Sequence, residues 1–334
     1  MEKRVLGNGL EVSAVGLGCM GFTHAYGAPS DLKEAKRALM ESVEMGYTFF
    51  DTAERYFGFT ADGMQLWNEE LVGDALADCR DKVKIATKFG IGVTAEGEML
   101  LDSRPQTIRR SVEGSLKRIG TDYIDLYYQH RIDPNIPPEE VAGTMADLIK
   151  EGKILYWGIS ETDESYLRRA HAVCPVTAIQ NRYSMMARWY ENLFPVLEEL
   201  HVGYVAFSPL ANGFLTAAYQ NEVFTDKDDY RRNMPQYTEK GYAENAPVIE
   251  LVRRYADEKN ATPAQISLAW MLCKKPYLVP IPGSRKTDRL RENAGAAEIK
   301  LSQEEIMGID NALAQMELSV YGGASYKVQE GAEK

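Results

Sequence analysis

The chain has 334 residues, 45% hydrophobic and 26% charged, which are the proportions of a folded globular protein and not of a disordered one. Its formal net charge of −11 argues against nucleic acid or an anionic membrane as the main partner. Four cysteines stand far apart at Cys19, Cys79, Cys174 and Cys273, without a CxxC pair, which favours a reducing compartment over a disulfide scaffold.

The opening MEKRVLGNGLEV lacks the apolar core of a signal peptide, and no apolar run approaches the roughly 20 residues that span a bilayer, so a cytoplasmic location is expected. RVL and LEVS flank Gly7-Asn8-Gly9 and predict a small hairpin. Short apolar runs suited to buried parallel strands then recur at residues 12–18, 47–53, 83–89, 124–130, 154–160, 176–181, 203–210 and 277–283. Between them lie helical patterns. Asp31 precedes LKEAKRALMESVEMG, Pro105 opens a helix that stops at Gly120, PPEEVAGTMADLIKEG ends at Gly152, and Thr262-Pro263 open PAQISLAWMLCKK. Two further helices, DRLRENAGA and SQEEIMGIDNALAQM, close the chain.

Eight strand–helix units predict an α/β fold: a single (β/α)8 TIM barrel over residues 1–334, with an N-terminal β-hairpin and extra C-terminal helices. A doubly wound sheet is the competing arrangement, because strand order is not written in the sequence. Residues 211–242 form the least regular stretch and suggest a lid or binding loop, and a tail begins near residue 316.

Barrel active sites lie at the C-terminal strand ends. Those ends here are Asp51, Lys88, His130, Ser160, Gln180 with Asn181, Phe207 with Ser208, and Gly283-Ser284-Arg285. A free tyrosine, with a pKa of about 10, exchanges protons poorly near neutrality. An ammonium such as Lys88 beside Tyr56 would stabilise its phenolate and lower that value, and Asp51 would hold the lysine. His130 would orient a substrate oxygen. The set suits protonating a carbonyl oxygen while hydride reaches its carbon.

At this point the chain resembles the aldo-keto reductases. FDTAERY carries Asp51 and Tyr56 at the family's strand-two spacing, ATKFG places Lys88, and LYYQHR places His130. The resemblance runs from the hairpin to about residue 315. It implies that Asp51, Tyr56, Lys88 and His130 are catalytic, with Tyr56 the proton donor, and that NADP(H) binds across the barrel mouth. It implies that Ser160 and Gln180 hold the nicotinamide carboxamide, that Phe207 stacks on the ring, and that Ser208, Leu210 and Gly283 also meet the cofactor. In IPGSRKTDRLRENAGA, Ser284, Arg285 and Arg289 would meet the 2′-phosphate, with Glu292 and Asn293 near the adenine. Glu161 departs from the Asn common in the family, resembles a perakine-reductase-like subgroup, and is expected to accept from the carboxamide. Met20, Phe22, Trp67, Trp189 and Phe214 are expected walls for a small carbonyl substrate. The protein is expected to act as a monomer or small homo-oligomer. The alternative is a cofactor-binding regulatory module with little turnover.

GLGCMG at 16–21 matches GxGxxG, but no helix opens at once after it, so its glycines are expected to let backbone approach substrate or cofactor. His24, His171 and His201 lack metal-ligand spacing and are expected to be structural.

Overall fold

The computed structural model describes residues 1–94 and 98–322; the part of the expected tail beyond Gly322 lies outside the described residues. Its main sheet holds eight parallel strands in sequential order. They are β1 (Leu17–Gly18), β2 (Phe49–Asp51), β3 (Lys84–Phe89), β4 (Ile124–Gln129), β5 (Ile154–Ser160), β6 (Ala178–Arg182), β7 (Gly203–Phe207) and β8 (Leu278–Pro280). Sequential order excludes the doubly wound alternative. The two ends meet: Gly16 N–H donates to the Pro280 carbonyl at 2.9 Å, and Gly18 N–H to that of Pro282 at 3.4 Å. A Cβ on Gly18 would lie 2.8 Å from the Ile281 carbonyl oxygen, and one on Gly283 would lie 2.7 Å from that of Gly18. Gly16 and Gly18 of GLGCMG therefore serve barrel closure, and the first long helix waits until Leu32.

The helices on the chain's first half are α1 (Leu32–Glu44), α2 (Asn68–Leu76), α3 (Pro105–Ile119), α4 (Pro138–Lys150) and α5 (Glu164–Val173). Then come α6 (Phe194–Leu200), α7 (Glu239–Lys259), α8 (Pro263–Lys274), α9 (Thr287–Gly295) and α10 (Gln303–Ala314). Caps set their starts. Asp31 accepts from Lys33 N–H and Glu34 N–H, while Thr262–Gln265 and Ser302–Glu305 form capping boxes. Helix α3 ends on Gly120 at φ 72°. The expected hairpin is present, Lys3–Val5 pairing with Glu11–Ser13. Two more hairpins, Phe57–Phe59 with Gln65–Trp67 and Ile91–Val93 with Met99–Leu101, lacked a sequence signal.

Side chains alternate along a strand. One face of the barrel strands contributes Phe49, Ala86, Leu126, Ala178 and Val205 to an inner core, plugged by Leu6, Leu10 and Val12 of the hairpin. Two residues further along the same face come Asp51, Lys88, Gln180 and Phe207, and four further come His130 and Arg182. The period of two thus aims these groups at the barrel mouth. Over that mouth the loops after β1 and β7 clasp each other. Gly27 N–H donates to the Asp228 carbonyl at 3.1 Å, and Tyr230 N–H to that of Ala25 at 3.0 Å. The irregular stretch after β7 contains short 3-10 turns at Ala211–Thr216, Tyr230–Asn233 and Pro235–Tyr237.

Candidate active site

Lys88 is 1% exposed and lies between a carboxylate and a phenol. Its Nζ donates to Asp51 Oδ1 at 2.5 Å and to the Thr52 carbonyl at 2.8 Å, and stands 3.4 Å from the Tyr56 hydroxyl. The other oxygen of Asp51 accepts from Gln180 Nε2 at 2.7 Å. The short loop carrying Tyr56 is fixed by backbone bonds, Tyr56 N–H to the Ala53 carbonyl at 3.0 Å and Asn68 N–H to the Tyr56 carbonyl at 2.9 Å. Asn68 is itself a buried hub: it accepts from Thr52 Oγ1 and donates to the Cys19 carbonyl and Thr23 Oγ1. Glu54 also has a place. It accepts from Gly90 N–H at 3.0 Å and so braces the Tyr56 loop against the end of β3.

Electrostatics follow from burial and these partners. Burial works to discharge Lys88, but Asp51 and Tyr56 together outweigh it and hold the ammonium charged, above its ordinary value. Burial pushes the Asp51 carboxyl up, against the pull of Lys88 and Gln180. Tyr56 differs from the sequence expectation. Its phenol sits above the ordinary value because burial outweighs the lowering by Lys88. It is therefore a protonated donor at neutral pH, with a cation in place to receive the phenolate. His130 lies edge-on to Tyr56, with ring centroids 5.8 Å apart. Burial, then Lys88 and Arg131, hold its imidazole well below the ordinary value, so it is neutral, and its buried Nδ1 has no hydrogen-bond partner.

Two groups missed from the sequence also lie here. His24, expected to be only structural, stacks on Tyr56 at 5.9 Å and donates from Nδ1 to the Phe57 carbonyl at 2.9 Å. Arg131 donates to the His130 carbonyl at 2.7 Å and to Ser160 Oγ at 3.2 Å. Position after a strand-end histidine was the available signal, and it was too common to use.

The remaining expected residues divide. Phe207 is half-buried at the mouth, flanked by the guanidiniums of Arg182 at 4.9 Å and Arg131 at 5.9 Å. Ser160 Oγ donates to the Gln180 carbonyl at 2.9 Å. Glu161 and Ser208 both carry positive φ, 56° and 50°, unusual for residues with a Cβ and typical of strained functional sites. The Glu161 carboxylate accepts from Arg182 N–H at 3.0 Å and from the Tyr190 hydroxyl at 3.2 Å. Asn181 is bonded in both directions to the Thr162 backbone and braces that loop. Arg285 donates to the Gly21 and Ala28 carbonyls, its Nη2 being buried without a partner. Ser284 Oγ accepts from Lys286 N–H, Arg289 pairs with Glu292 at 2.6 Å, and Asn293 is buried.

Among the expected walls, Phe22 and Phe214 are packed into the main core at 1% and 3% exposure, and Leu210 joins them. Aromatic bulk there joins the hydrophobic core. Trp67 packs against Phe57 and the Arg118 guanidinium, Met20 opens a 3-10 turn after β1, and Trp189 is exposed beside Gly322.

Comparison with known proteins agrees with this geometry. The model of the aldo/keto reductase family matches residues 14–314. A probable aldo-keto reductase from Glycine max is 39% identical over 307 residues, covering 91% of this chain and 86% of its own. A glycerol dehydrogenase from Gluconobacter oxydans superposes with a TM-score of 0.82 at 26% identity, covering 94% of this chain and 95% of that one. An aldo-keto reductase from Bacillus halodurans in its holo form gives 0.74 at 28% identity, covering 96% and 98%. A thermostable aldo-keto reductase bound to the inhibitor epalrestat gives 0.70 at 33% identity, covering 93% and 100%. The chain belongs to the aldo/keto reductase family of oxidoreductases.

Proposed function

We propose that the protein reduces an aldehyde or ketone to an alcohol with NADPH, Tyr56 delivering the proton. The observation that carries this is the sealed relay in which Asp51 holds Lys88 and Lys88 stands 3.4 Å from the Tyr56 hydroxyl. The residues at the mouth fit a nicotinamide dinucleotide. Phe207 offers a flat ring, Ser160 a hydroxyl, and Arg285 a guanidinium held by two loop carbonyls beside the start of α9. When bound, the reduced cofactor supplies hydride to the carbonyl carbon.

The protein's own groups do the rest. His130, held neutral, hydrogen-bonds the carbonyl oxygen and sets its direction toward Tyr56. The Tyr56 hydroxyl gives its proton to that oxygen as negative charge grows there. The resulting phenolate is stabilised by Lys88, whose own charge is anchored by Asp51. Water recharges the phenol, and burial returns it to the protonated state. We further propose a cytoplasmic setting; no helix among the described residues is long and apolar enough to cross a membrane.

The test is a panel of aldehydes and ketones with NADPH and with NADH, read by cofactor absorbance, for the native protein and Tyr56→Phe. Turnover that collapses in Tyr56→Phe while NADPH still binds supports the reading. Bound NADPH that no carbonyl oxidises would instead identify a regulatory module.

A further inference from the structure

Most of the buried and half-buried cations among the described residues find partners; Arg55, stacked on Phe57, and Arg131 and Arg182, at the barrel mouth, form no ion pair. Arg80 pairs with Asp125, Arg118 with Glu69, Arg231 with Asp229, and Lys274 with Glu191 and Asp310. Arg4 is satisfied by three backbone carbonyls. Arg131 and Arg182 form no ion pair among the described residues. A guanidinium carries five N–H donors in a rigid fork. Arg131 uses one nitrogen, on the His130 carbonyl and Ser160 Oγ. Arg182 uses one, on Asn212 Oδ1 at a long 3.4 Å. Their remaining nitrogens are not sealed in the interior, unlike Nη2 of Arg285.

Both flank Phe207 at the barrel mouth. Arg131 also donates to the His130 carbonyl, next to the ring that lies edge-on to Tyr56. The nearby anions are already engaged. Asp51 is taken by Lys88 and Gln180, and Glu161 by Arg182 N–H and the Tyr190 hydroxyl. Arg182 is only 9% exposed, stacks on Phe207 and Tyr321, and meets no carboxylate among the described residues, so an anion at its free nitrogens would be favoured. An acidic chain of net charge −11 thus holds a locally cationic mouth.

We infer that the substrate carries an oxyanion, a carboxylate or phosphate, close to its carbonyl, and that Arg131 and Arg182 receive it. This rests on the proposed carbonyl reduction. The planar fork of each guanidinium matches two oxygens of such a group, and pairing it across the mouth fixes the carbonyl against Tyr56. Arg131 and Arg182 are specificity and positioning residues; the proton still comes from Tyr56.

The experiment compares matched pairs: succinic semialdehyde with its methyl ester, and glyceraldehyde phosphate with glyceraldehyde. The expected result is a kcat/KM for at least one anionic member about tenfold or more above its neutral mate, the scale of one close charge pair. Which pair discriminates tells carboxylate from phosphate. In Arg131→Leu and Arg182→Leu that ratio falls toward one, and Arg182→Lys, which keeps the charge should the Leu variant fold poorly, retains part of it. A ratio near one for both pairs in the native protein overturns the inference. So do variants that weaken NADPH binding with the ratio intact, because the guanidiniums then serve the cofactor's phosphates. Calorimetric binding of succinate and inorganic phosphate to the NADPH-loaded protein reads the anion site without turnover. Binding lost in the variants sustains the site even if no aldehyde is reduced, in which case it is the proposed reduction that fails.

Discussion

Two buried aspartates sit at opposite ends of the barrel strands and do different things. Asp125, near the N-terminal end of β4, is fully buried, accepts from Ile85 N–H at 3.0 Å, and faces Arg80 at 2.7 Å and Lys84 at 3.2 Å. Those cations are 15% and 32% exposed, so water shares the stabilisation of their charge. Asp51, at the C-terminal end of β2, faces a lysine sealed at 1% exposure, and that lysine also meets a phenol. Chemically the pairs are alike. The difference is what the cation touches next: solvent at one end, a proton donor at the other. The first arrangement braces strands, whereas the second transmits charge to a reacting group.

The deepest test of that contrast removes the proton donor. Tyr56→Phe is expected to lower kcat by about 10²- to 10⁴-fold while leaving the melting temperature and NADPH affinity close to native. Turnover surviving in that variant ends the mechanism. Lys88→Met should lower kcat as well, and it strands Asp51 without its cation, at about 3–5 kcal/mol of stability by chemical unfolding. Adding Asp51→Asn to Lys88→Met should recover part of that stability and none of the turnover. Asp125→Asn is the counterpart at the other end, with stability lower by about 1–3 kcal/mol and kcat/KM unaltered. If Asp125→Asn cuts turnover as deeply as Lys88→Met, the two ends are not functionally distinct.

The top of the barrel was legible in the sequence to a degree that its rim was not. Asp51, Lys88, Gln180 and Phe207 fall at strand ends in phase with the inner core, so alternation alone brings them together. Tyr56 needed its five-residue spacing and the family resemblance. The rim is made by loops, whose contacts come from residues far apart in the chain. Nothing near Arg285 in sequence announces that it will grip the Gly21 and Ala28 carbonyls, or that Arg182 will sit against Phe207 without a carboxylate among the described residues. Phe22 and Phe214 show the same limit: an aromatic after a strand suits a wall or a core equally, and packing made them core. The start of helix α7 was hidden by Pro247 within it, and α2 by its short, weakly patterned face.

Proton linkage gives a smaller effect with a defined sign. Burial holds His130 well below its ordinary value, so the folded state keeps it neutral where the unfolded chain, with a pKa of about 6.5, takes up a proton. Its contribution is present above that value and is lost as pH falls below it. Stability by urea unfolding should therefore drop on the acid side of neutrality, and His130→Gln should flatten that slope. For activity the sign reverses with the group. Tyr56 is raised by burial, so kcat/KM for reduction should hold through neutrality and fall only on the alkaline side, beyond the ordinary tyrosine range of about 10. A fall already at neutral pH would show that Lys88 outweighs burial.

The smallest effects carry the same contrast to the cofactor rim. Arg289 is half exposed and already paired with Glu292 one helical turn away, a surface pair of the kind worth well under about 1 kcal/mol. Arg285 is tied to two carbonyls of the loop after β1 and keeps one buried N–H unpartnered. A phosphate approaching both must compete with Glu292 for the first and finds on the second a guanidinium with no carboxylate partner among the described residues. Arg285→Ala should therefore lower the NADPH-to-NADH ratio of kcat/KM by about tenfold, one close charge-assisted contact. Arg289→Ala should change it by less than about twofold, because neutralising its helical partner offsets what it adds. Equal effects from the two substitutions would mean that the Arg289–Glu292 pair opens to the phosphate at no net cost, and exposure would then be no guide to which cation on this rim selects the cofactor.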